Sequence, residues 1–330
     1  MATVRDVARK AGVSPSTASI VLAGKAQQRH ISDKTRLKVE QAARELGYRP
    51  SVEARFLRGQ KGTGPLRLAL FWADDRRVVF LTRFLQGAFP SLPEEDMTLE
   101  VQPYSPGHLA ENPEFLGGGR FHAAILANAA PGDLAWLEAH PPVFPVVIYN
   151  RRVKGFVCVC ADDGQIGKTA ADALLQKGKH RPGVITARAR YAEIARRDDS
   201  FAQHMAKAGY AVPPKRWVQE ENSISGGERA CEKLLPYRPD CLFCCSDAMA
   251  YGALRVLHRR GLRVPGDVAV LSVGNGDPDY RGACLVPLTA VPVPIEEMAK
   301  QCVKLAGRLL RREKAESVKV TAPLQERDSL

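Results

Sequence analysis

The sequence contains no apolar run that approaches the roughly 20 residues a membrane-spanning helix needs. Its first residues lack a basic segment followed by an apolar core, so we expect no secretory signal and a cytoplasmic location. The patterns G-x-G-x-x-G, G-x-S-x-G, H-E-x-x-H and the P-loop are also absent, which disfavours the enzymes that carry them. We therefore predict a protein without enzymatic activity and without a cofactor.

A complete set of zinc ligands is missing as well, although the chain has eight cysteines. Cys241 and Cys244 form a C-x-x-C, and Cys158 and Cys160 form a C-x-C. No second C-x-x-C or pair of histidines completes either set. A metal or disulfide site is the alternative to plain core packing. We predict core packing, because both pairs lie in apolar runs typical of buried strands.

Positive charge is concentrated at the N-terminus. The net charge of the chain is +12. Residues 1–60 contain 12 Lys and Arg against 5 Asp and Glu, whereas the remaining residues contain 36 Lys and Arg against 31 Asp and Glu. A basic N-terminal module on a nearly balanced body indicates that this module binds nucleic acid. A solvated surface face is the alternative, but it does not account for the concentration.

The segment from Thr3 to Leu22 has the pattern of two short helices joined by a tight turn. Thr3 is a natural N-cap, Val4, Val7, Ala8 and Ala11 form an apolar face, and Gly12 suits the turn. Ser14 caps the second helix, Pro15 takes its first position, and Ala18, Val21 and Leu22 continue the apolar face. This pattern predicts a DNA-binding helix-turn-helix; the alternative is an ordinary αα-hairpin in a globular core.

A third short helix follows after a loop. Ser32 is its predicted N-cap, and Gly47 and Pro50 end it. The residues predicted to form its apolar side are Leu37, Val39, Ala42, Ala43 and Leu46. The composition of residues 59–65, GQKGTGP, is that of a linker.

From residue 66 onward, apolar strand-like runs alternate with helical segments. The predicted strands cover 66–72, 98–104, 122–128, 145–150, 156–162, 183–186, 216–219, 240–247 and 268–273. Helix-like segments include 166–177, 229–235 and 248–260. This alternation predicts an α/β fold with parallel sheets, long enough for two lobes with a ligand cleft between them.

Several ordered segments resemble the LacI/GalR family of bacterial transcription regulators. The stretches TVRDVARKAGVSPSTASIVLAG and ISDKTRLKVEQAARELGYRP resemble the family headpiece, and ARFLRG resembles its hinge helix. Three body motifs, DDGQIGKTAADALLQKGKHR, SDAMAYGALRVLHRRGLRVPGDVAVLS and VPLTAVPVPIEEMAK, also match, and LQERDSL resembles the closing strand. These matches run from Thr3 nearly to the C-terminus and displace the αα-hairpin alternative.

The resemblance implies a domain organisation. Residues 1–50 form the headpiece, 51–64 the hinge helix and linker, and 65–330 a two-lobe body similar to periplasmic sugar-binding proteins. The N-lobe covers about 65–160 and 292–322, and the C-lobe about 161–291, with crossings near Ala161 and Val291. The body dimerises, so two headpieces bind the halves of a pseudo-palindromic operator.

The resemblance also implies which residues contact DNA. Base readout falls to Pro15, Ser16 and Ile20 at the start of the second helix. Candidate backbone contacts are Thr3, Ser14, Thr17, Ser19, Lys25, Arg29, His30, Lys34 and Arg36. Ala54, Arg55 and Leu57 match the hinge, where the family's leucine wedges into the minor groove.

Ile20 departs from the family, which commonly has Arg at this position. Arg bonds guanine bidentately, whereas Ile packs against a thymine methyl group. We therefore predict a half-site without the usual guanine there. Core packing is the alternative role for Ile20.

The effector site is implied by weaker matches. Arg197 fits the arginine of the family's R-x-x-G-F, although Ser200 replaces the glycine; Phe201 keeps the aromatic residue. Ser246 replaces an asparagine of the family, and its F-D-D motif becomes Val273-Gly274-Asn275. Tyr149, Asn150 and Arg151 follow a predicted strand, where cleft residues belong. The candidate effector-binding residues are Phe80, Asn150, Arg197, Phe201, Ser246 and Asn275. No metal site is predicted.

The chemistry of the effector stays open at this point. A sugar or a sugar acid is possible, and Arg190, Arg196 and Arg197 favour an anionic or unusual effector. The leading hypothesis is a repressor whose operator affinity a small molecule shifts. The alternatives are a regulator whose altered cleft binds nothing and a stand-alone small-molecule binding protein.

Overall fold

The computed structural model describes residues 4–22, 31–46, 65–74, 78–117, 121–188, 191–274 and 276–330. Within residues 4–46, three helices form a small domain that we call the headpiece: α1 (Val4–Ala11), α2 (Pro15–Leu22) and α3 (Asp33–Glu45). Gly12 has a left-handed φ of 67° at the turn, and Ser14 Oγ accepts a hydrogen bond from Thr17 N at 3.1 Å. Both features confirm the helix-turn-helix prediction.

The headpiece core is formed by the predicted apolar faces, with one exception. Its buried residues are Val7, Ala8, Ala18, Val21, Val39, Ala42 and Ala43. Leu37 was predicted to belong to this core, but it is 51% exposed. The prediction was wrong because Leu37 lies two residues before Val39, which places it on the opposite side of a helix with 3.6 residues per turn.

The body contains two parallel sheets. The first sheet has the strand order β11-β5-β4-β3-β1-β2, and the second has the order β10-β9-β8-β6-β7. We call these sheets, with the helices that cover them, the N-lobe and the C-lobe. The strands are β1 (Leu66–Ala73), β2 (Met97–Tyr104), β3 (Ala123–Ala127), β4 (Val146–Tyr149), β5 (Val157–Ala161), β6 (Pro182–Ala187), β7 (Trp217–Glu220), β8 (Cys241–Cys244), β9 (Ala269–Gly274), β10 (Thr289–Pro292) and β11 (Val318–Val320).

The strand predictions for β1 to β9 are confirmed, and two short strands were missed. β10 and β11 have only four and three residues, too few for a periodicity signal. The expectation that LQERDSL forms the closing strand was wrong. That role belongs to β11, and Gln325 makes only an isolated antiparallel bridge with Ala290.

The helices of the body cover both sheets, as parallel sheets require. They are α4 (Val78–Ala88), α5 (Pro113–Gly117), α6 (Pro131–Ala139), α7 (Asp163–Gln176), α8 (Ala192–Lys207), α9 (Ile224–Leu234), α10 (Asp247–Arg259), α11 (Pro278–Ala283) and α12 (Ile295–Leu310). Short 3₁₀ segments occur at Phe89–Ser91, Pro93–Glu95, Leu109–Glu111, Pro214–Arg216 and Leu235–Tyr237. Among the described residues, no helix is long and apolar enough to cross a membrane.

The chain passes between the lobes three times. The first passage follows β5 and the second follows β10, after which α12 packs on β3, β4 and β5 of the N-lobe. A third passage, additional to the two expected, follows β11. It returns the C-terminus to the C-lobe, where Ser329 Oγ donates to Val270 O at 2.6 Å and accepts from Thr289 N at 2.8 Å.

All eight cysteines are free, and seven of them are buried. Cys158 and Cys160 belong to the core of the N-lobe, and Cys241 and Cys244 to that of the C-lobe. Burial raises the pKa of Cys160 to about 11 and that of Cys231 to about 12. The core-packing prediction is confirmed, and these thiols remain protonated at neutral pH.

We expect native protein at about pH 8 to react with a thiol reagent at no more than one cysteine, the partly exposed Cys284. Unfolding in urea exposes all eight thiols, and the difference between the two titrations measures core protection. Two or more fast-reacting thiols in the native protein would contradict the buried placement of these strands.

Candidate DNA-binding face and interlobe cleft

The outer face of α2 carries the three predicted base-reading residues. Pro15 and Ser16 are exposed and Ile20 is partly exposed, whereas Ala18 and Val21 are buried on the inner face. Ile20 is not among the apolar residues that form the headpiece core. The structure therefore favours an outward role for Ile20 over the core-packing alternative.

Hydroxyl groups cluster where α2 begins. Ser14 Oγ lies 2.8 Å from Ser16 Oγ and 2.8 Å from Thr17 Oγ1, and Ser19 is partly exposed. These exposed hydroxyls, beside the free N–H groups of a helix N-terminus, suit a phosphate oxygen.

The two cations predicted on α3 differ in their surroundings. Lys34 is exposed. Arg36 is paired within its own helix, since Nε lies 3.2 Å from Asp33 Oδ1 and Nη1 lies 2.9 Å from Glu40 Oε1. A phosphate would have to compete with two carboxylates for Arg36, so Lys34 is the stronger candidate for a DNA contact.

Several predicted residues lie outside the described part of the chain. They are Thr3, Lys25, Arg29, His30, Ala54, Arg55, Leu57, Arg190 and Asn275.

A small polar cavity lies between the lobes, at the carboxyl ends of β3 and β4. Its volume is about 70 Å³, below the roughly 300 Å³ at the lower end of ligand pockets. The N-lobe and the connecting segment contribute Phe80, Asn128, Tyr149, Asn150, Arg151, Val293 and Ile295, and the C-lobe contributes Tyr191, Glu193, Ile194, Arg197 and Asn222. The predicted residues Phe80, Asn150 and Arg197 therefore share one site.

Arg197 enters this cavity from α8 as half of a buried ion pair. Its Nε donates to Asp163 Oδ1 at 2.7 Å, and both side chains are almost fully buried. Burial raises the pKa of the Asp163 carboxyl, and Arg197 opposes this shift by its charge and its hydrogen bond. Helices α7 and α8 approach closely here, because Gly167 has no side chain to meet the backbone of Arg197.

A second ion pair crosses from one lobe to the other. Arg151 Nη1 of the N-lobe lies 3.3 Å from Glu193 Oε2 of the C-lobe, and the guanidinium carbon lies 5.2 Å from the centre of the Tyr191 ring. Arg151 Nη1 also donates to Asn150 O at 2.8 Å. The guanidinium therefore lines the cavity and connects the two lobes.

Two asparagines carry buried atoms without hydrogen-bond partners among the described residues. These atoms are Asn128 Nδ2 and Asn150 Oδ1. Both residues have a left-handed backbone, with φ of 56° and 53°, and they follow the paired strand residues Ala127 and Tyr149. Unpartnered donors and acceptors in a cavity are the groups that a ligand satisfies.

Two predicted effector residues do not line the cavity. Phe201 is fully buried and stacks on Phe243, with ring centres 4.3 Å apart. It shares a face of α8 with Arg197 but lies one turn farther along the helix, where that face packs on the C-lobe sheet. Ser246 caps α10 through Met249 N and donates to Asn222 Oδ1 at 2.6 Å. It therefore holds a cavity residue and does not line the cavity itself.

Sequence reasoning missed seven residues that line the cavity: Asn128, Tyr191, Glu193, Ile194, Asn222, Val293 and Ile295. The rule that identified Asn150, a polar residue directly after a buried strand, applies equally to Asn128. Glu193 and Tyr191 carry no comparable signal, since their role depends on a partner from the other lobe.

A further buried ion pair occupies the region where the family's acidic motif is altered. Arg281 is fully buried; its Nη1 lies 3.1 Å from Asp247 Oδ2, and its Nη2 donates to Gln325 Oε1 at 2.8 Å. Asp247 also accepts from Ser272 Oγ at 2.6 Å. A Cβ on Gly274 would stand 3.0 Å from Arg281 Nη1, so the glycine leaves room for this guanidinium.

Comparison with known proteins agrees with this architecture. The model for bacterial regulatory proteins of the lacI family matches residues 3–51, and the model for a periplasmic binding protein-like domain matches residues 171–330. The HTH-type transcriptional repressor PurR of Escherichia coli is 30% identical over 344 residues, which cover 100% of this chain and 97% of PurR. The chain belongs to the LacI family.

Other members of the LacI family are similar to this chain in sequence or in structure. The ribose operon repressor of Escherichia coli is 28% identical, covering 92% of this chain and 91% of that protein. The crystal structure of a LacI family transcription regulator from Clostridium acetobutylicum has a TM-score of 0.74 and 29% identity, covering 79% of this chain and 99% of that one. These relatives are transcription regulators and not enzymes.

Proposed function

We propose that this protein is a repressor that binds a pseudo-palindromic operator as a homodimer. The observation that carries the proposal is the orientation of α2, whose inner face forms the headpiece core while Pro15, Ser16 and Ile20 remain outside. Such a face is what a recognition helix presents to the major groove. Residues 1–50 would form the headpiece, 51–64 the hinge and 65–330 the body, acting in the cytoplasm.

The homodimer draws support from apolar side chains on the C-lobe. Tyr280 is 66% exposed and Leu285 is 60% exposed, although large apolar residues normally avoid water. A second copy of the chain that covers them would bury this apolar surface in a two-fold interface.

We further propose that a small molecule binds between the lobes and shifts operator affinity. The polar cavity, with its unpartnered asparagine atoms, supports this role. Its present volume of about 70 Å³ requires the lobes to separate before a larger ligand enters. One relative is named a ribose operon repressor, so sugars are among the first ligands to test. By linkage, ligand and operator then change each other's affinity by the same factor.

One observation favours a second candidate, a regulator that acts without a small-molecule effector. Arg151 and Glu193 both line the cavity and already pair with each other across it. Thermal shifts against sugars, sugar acids, phosphates and nucleobases distinguish the two candidates. Operator binding without any ligand-induced shift would favour this second candidate. The headpiece disfavours the third alternative, a stand-alone small-molecule binding protein, because such a protein does not need a DNA-binding domain.

Selection of DNA from a random pool by the full-length protein tests the main proposal. We expect an enriched pseudo-palindrome, because a two-fold dimer presents two identical recognition helices. Enrichment of no sequence, or of sites without internal symmetry, would contradict the proposal.

We expect Ile20→Ala to relax base preference at one position of each half-site, by about 1 kcal/mol, since an apolar contact to a thymine methyl group is lost. The slope of log affinity against log salt stays unchanged. The matched variant Lys34→Ala lowers this slope by about 1 without changing base preference, because a phosphate contact releases a counterion. Titrations by fluorescence anisotropy measure both effects. An essential guanine opposite Ile20 would overturn the assignment.

A further inference from the structure

We propose that the C-lobe carries a second, sequence-independent surface for double-stranded DNA, at the edge of its sheet where strands β6, β7 and β8 begin. This surface is separate from the headpiece and from the interlobe cleft, so one protein molecule can hold two duplex segments. Six cations form it, and we call them the distal surface: Lys179, Arg181, Lys207, Lys215, Arg216 and Arg238.

The distal surface lies at the end of the body opposite to the point where the chain enters it. The chain enters the N-lobe at Leu66, the amino end of β1. Both lobes turn the carboxyl ends of their strands toward the cleft, where Asn150 follows β4 and Asn222 follows β7. The cations of the distal surface instead precede the amino ends of β6, β7 and β8, so the C-lobe presents them away from the cleft and from the N-lobe.

Two contacts join the three segments of the distal surface. Arg181 N donates to Asp240 Oδ1 at 2.8 Å, which connects the segments before β6 and β8. Lys215 Nζ lies 5.7 Å from the centre of the Tyr237 ring, which connects the segments before β7 and β8. The six cations therefore belong to one continuous patch.

The positive charge of this patch is not compensated nearby. None of the six cations forms an ion pair with a carboxylate among the described residues. Asp240 lies within the patch, but its carboxylate accepts from the backbone N–H groups of His180 and Arg181. Six cations against this one carboxylate leave an excess of +5, as large as that of 36 Lys and Arg over 31 Asp and Glu outside residues 1–60.

The neighbouring charges do not alter this excess. Residues 176–182, 207–217 and 235–241, which contain the patch, are all described. Three cations beside the patch are each paired with a carboxylate and add no net charge: Lys177 with Glu326, Arg260 with Glu232, and Arg263 with Asp267.

The shape and chemistry of the distal surface favour a DNA duplex as its partner. Arg181, Lys207, Lys215 and Arg238 are exposed, whereas a small anion needs a concave site. DNA carries about one negative charge per 1.7 Å of its axis, so a duplex meets several of these cations at once. Among the described residues of the patch, Tyr237 alone is a large exposed apolar side chain, which leaves little to insert into a bilayer. Contacts to phosphates carry no sequence information, so this surface does not select a sequence.

The dimer interface proposed above is separate from the distal surface. Tyr280 and Leu285 belong to the segment before β10, and β10 and β7 form opposite edges of the C-lobe sheet. A second copy of the chain that covers these two residues leaves the segments before β6, β7 and β8 open. The headpieces and the distal surface can then bind two different segments of DNA.

The test measures binding of a short fluorescent duplex of unrelated sequence to full-length protein that already holds one equivalent of unlabelled operator. Anisotropy titrations at several salt concentrations give the affinity and the slope of its logarithm against log salt. In the triple variant Arg181→Gln, Lys215→Gln and Arg238→Gln, we expect the affinity to fall about tenfold or more and the slope to decrease by about 2–3, since each lost phosphate contact releases about one counterion fewer. Lys207→Gln alone is expected to lower the slope by about 1.

The control removes the same total charge elsewhere, at three lysines that pair with carboxylates: Lys168→Gln, Lys300→Gln and Lys314→Gln. We expect the control to bind the second duplex like the wild type, and equal melting temperatures show that all proteins are folded. Because the headpiece is the same in every protein, a difference between the triple variant and the control reports on the distal surface whether or not the headpiece binds an operator.

Three results would overturn the proposal: no binding of a second duplex by the wild type, unchanged binding by the triple variant, or an equal loss in the control. Tighter binding of polyglutamate or of phosphatidylglycerol vesicles than of the duplex would also overturn it, because the surface would then fit an acidic protein or a membrane better than DNA.

Discussion

Asp247→Asn is expected to lower the free energy of unfolding by about 3–5 kcal/mol, the typical result of removing one partner from a buried ion pair. Arg281 is fully buried and faces Asp247 Oδ2 at 3.1 Å. Without that carboxylate, a desolvated guanidinium remains in the C-lobe core with no counter-charge from Asp247. The loss is measured by urea unfolding monitored by circular dichroism.

The control for this variant is Glu326→Gln. Its partner Lys177 lies only 2.6 Å away, but both side chains are about half exposed. We expect a change below about 1 kcal/mol, because water solvates both charges after the pair is broken. Equal losses in the two variants would show that burial of Arg281 does not govern its contribution.

The double variant Asp247→Asn with Arg281→Met separates the cost of an uncompensated charge from the loss of attraction. Methionine removes the buried cation, so the double variant is expected to be more stable than Asp247→Asn alone. If it is less stable, the packing of Arg281 and its bond to Gln325 outweigh its charge.

Gly167→Ala is expected to cost about 2–3 kcal/mol and to weaken ligand binding, because overpacking shifts the backbone. The added Cβ would stand 2.2 Å from Arg197 O and 2.8 Å from Phe201 N. Helix α8 must move away from α7 to accommodate it, and α8 carries both Glu193 and Arg197. Unfolding midpoints measure the stability, and thermal shifts with the panel of sugars, sugar acids, phosphates and nucleobases report on the cleft.

Gly132→Ala is the matched control, since Gly132 lies in helix α6 with nothing within 4 Å of an added Cβ. Alanine favours a helix over glycine, so we expect no loss and a gain of up to about 1 kcal/mol. A Gly167→Ala protein as stable as Gly132→Ala would mean that α7 and α8 are free to separate.

The headpiece helices and most strands of the body could be predicted from the local pattern of apolar, capping and turn residues in the sequence. Gly12 forms the turn and Ser14 caps the next helix, and both roles depend only on residues within a few positions along the chain. Spacing in the sequence therefore suffices to predict these two roles. The apolar runs of β1 to β9 are likewise local signals. Leu37 shows the limit of assigning a core by polarity alone, because its helical spacing from Val39 places it on the opposite face.

The candidate cleft was only partly predictable. Asn150 follows a buried strand, and parallel strands bring such residues to one edge of a sheet. Phe201 matched a family pattern, yet it packs on Phe243 in the core. Its direction depends on how α8 rotates against the C-lobe sheet, which no short segment of the sequence encodes.

By itself, the sequence determined the family, the alternation of strands and helices and the basic headpiece, since these depend on residues close together in the chain. The tertiary structure decided which charges meet. Arg197 reads as a free cation in sequence, but the contact between α7 and α8 pairs it with Asp163. Arg151 meets Glu193 only because two lobes close on each other. Charge compensation across a cleft arises from folding, because it depends on contacts between residues that are far apart in the chain.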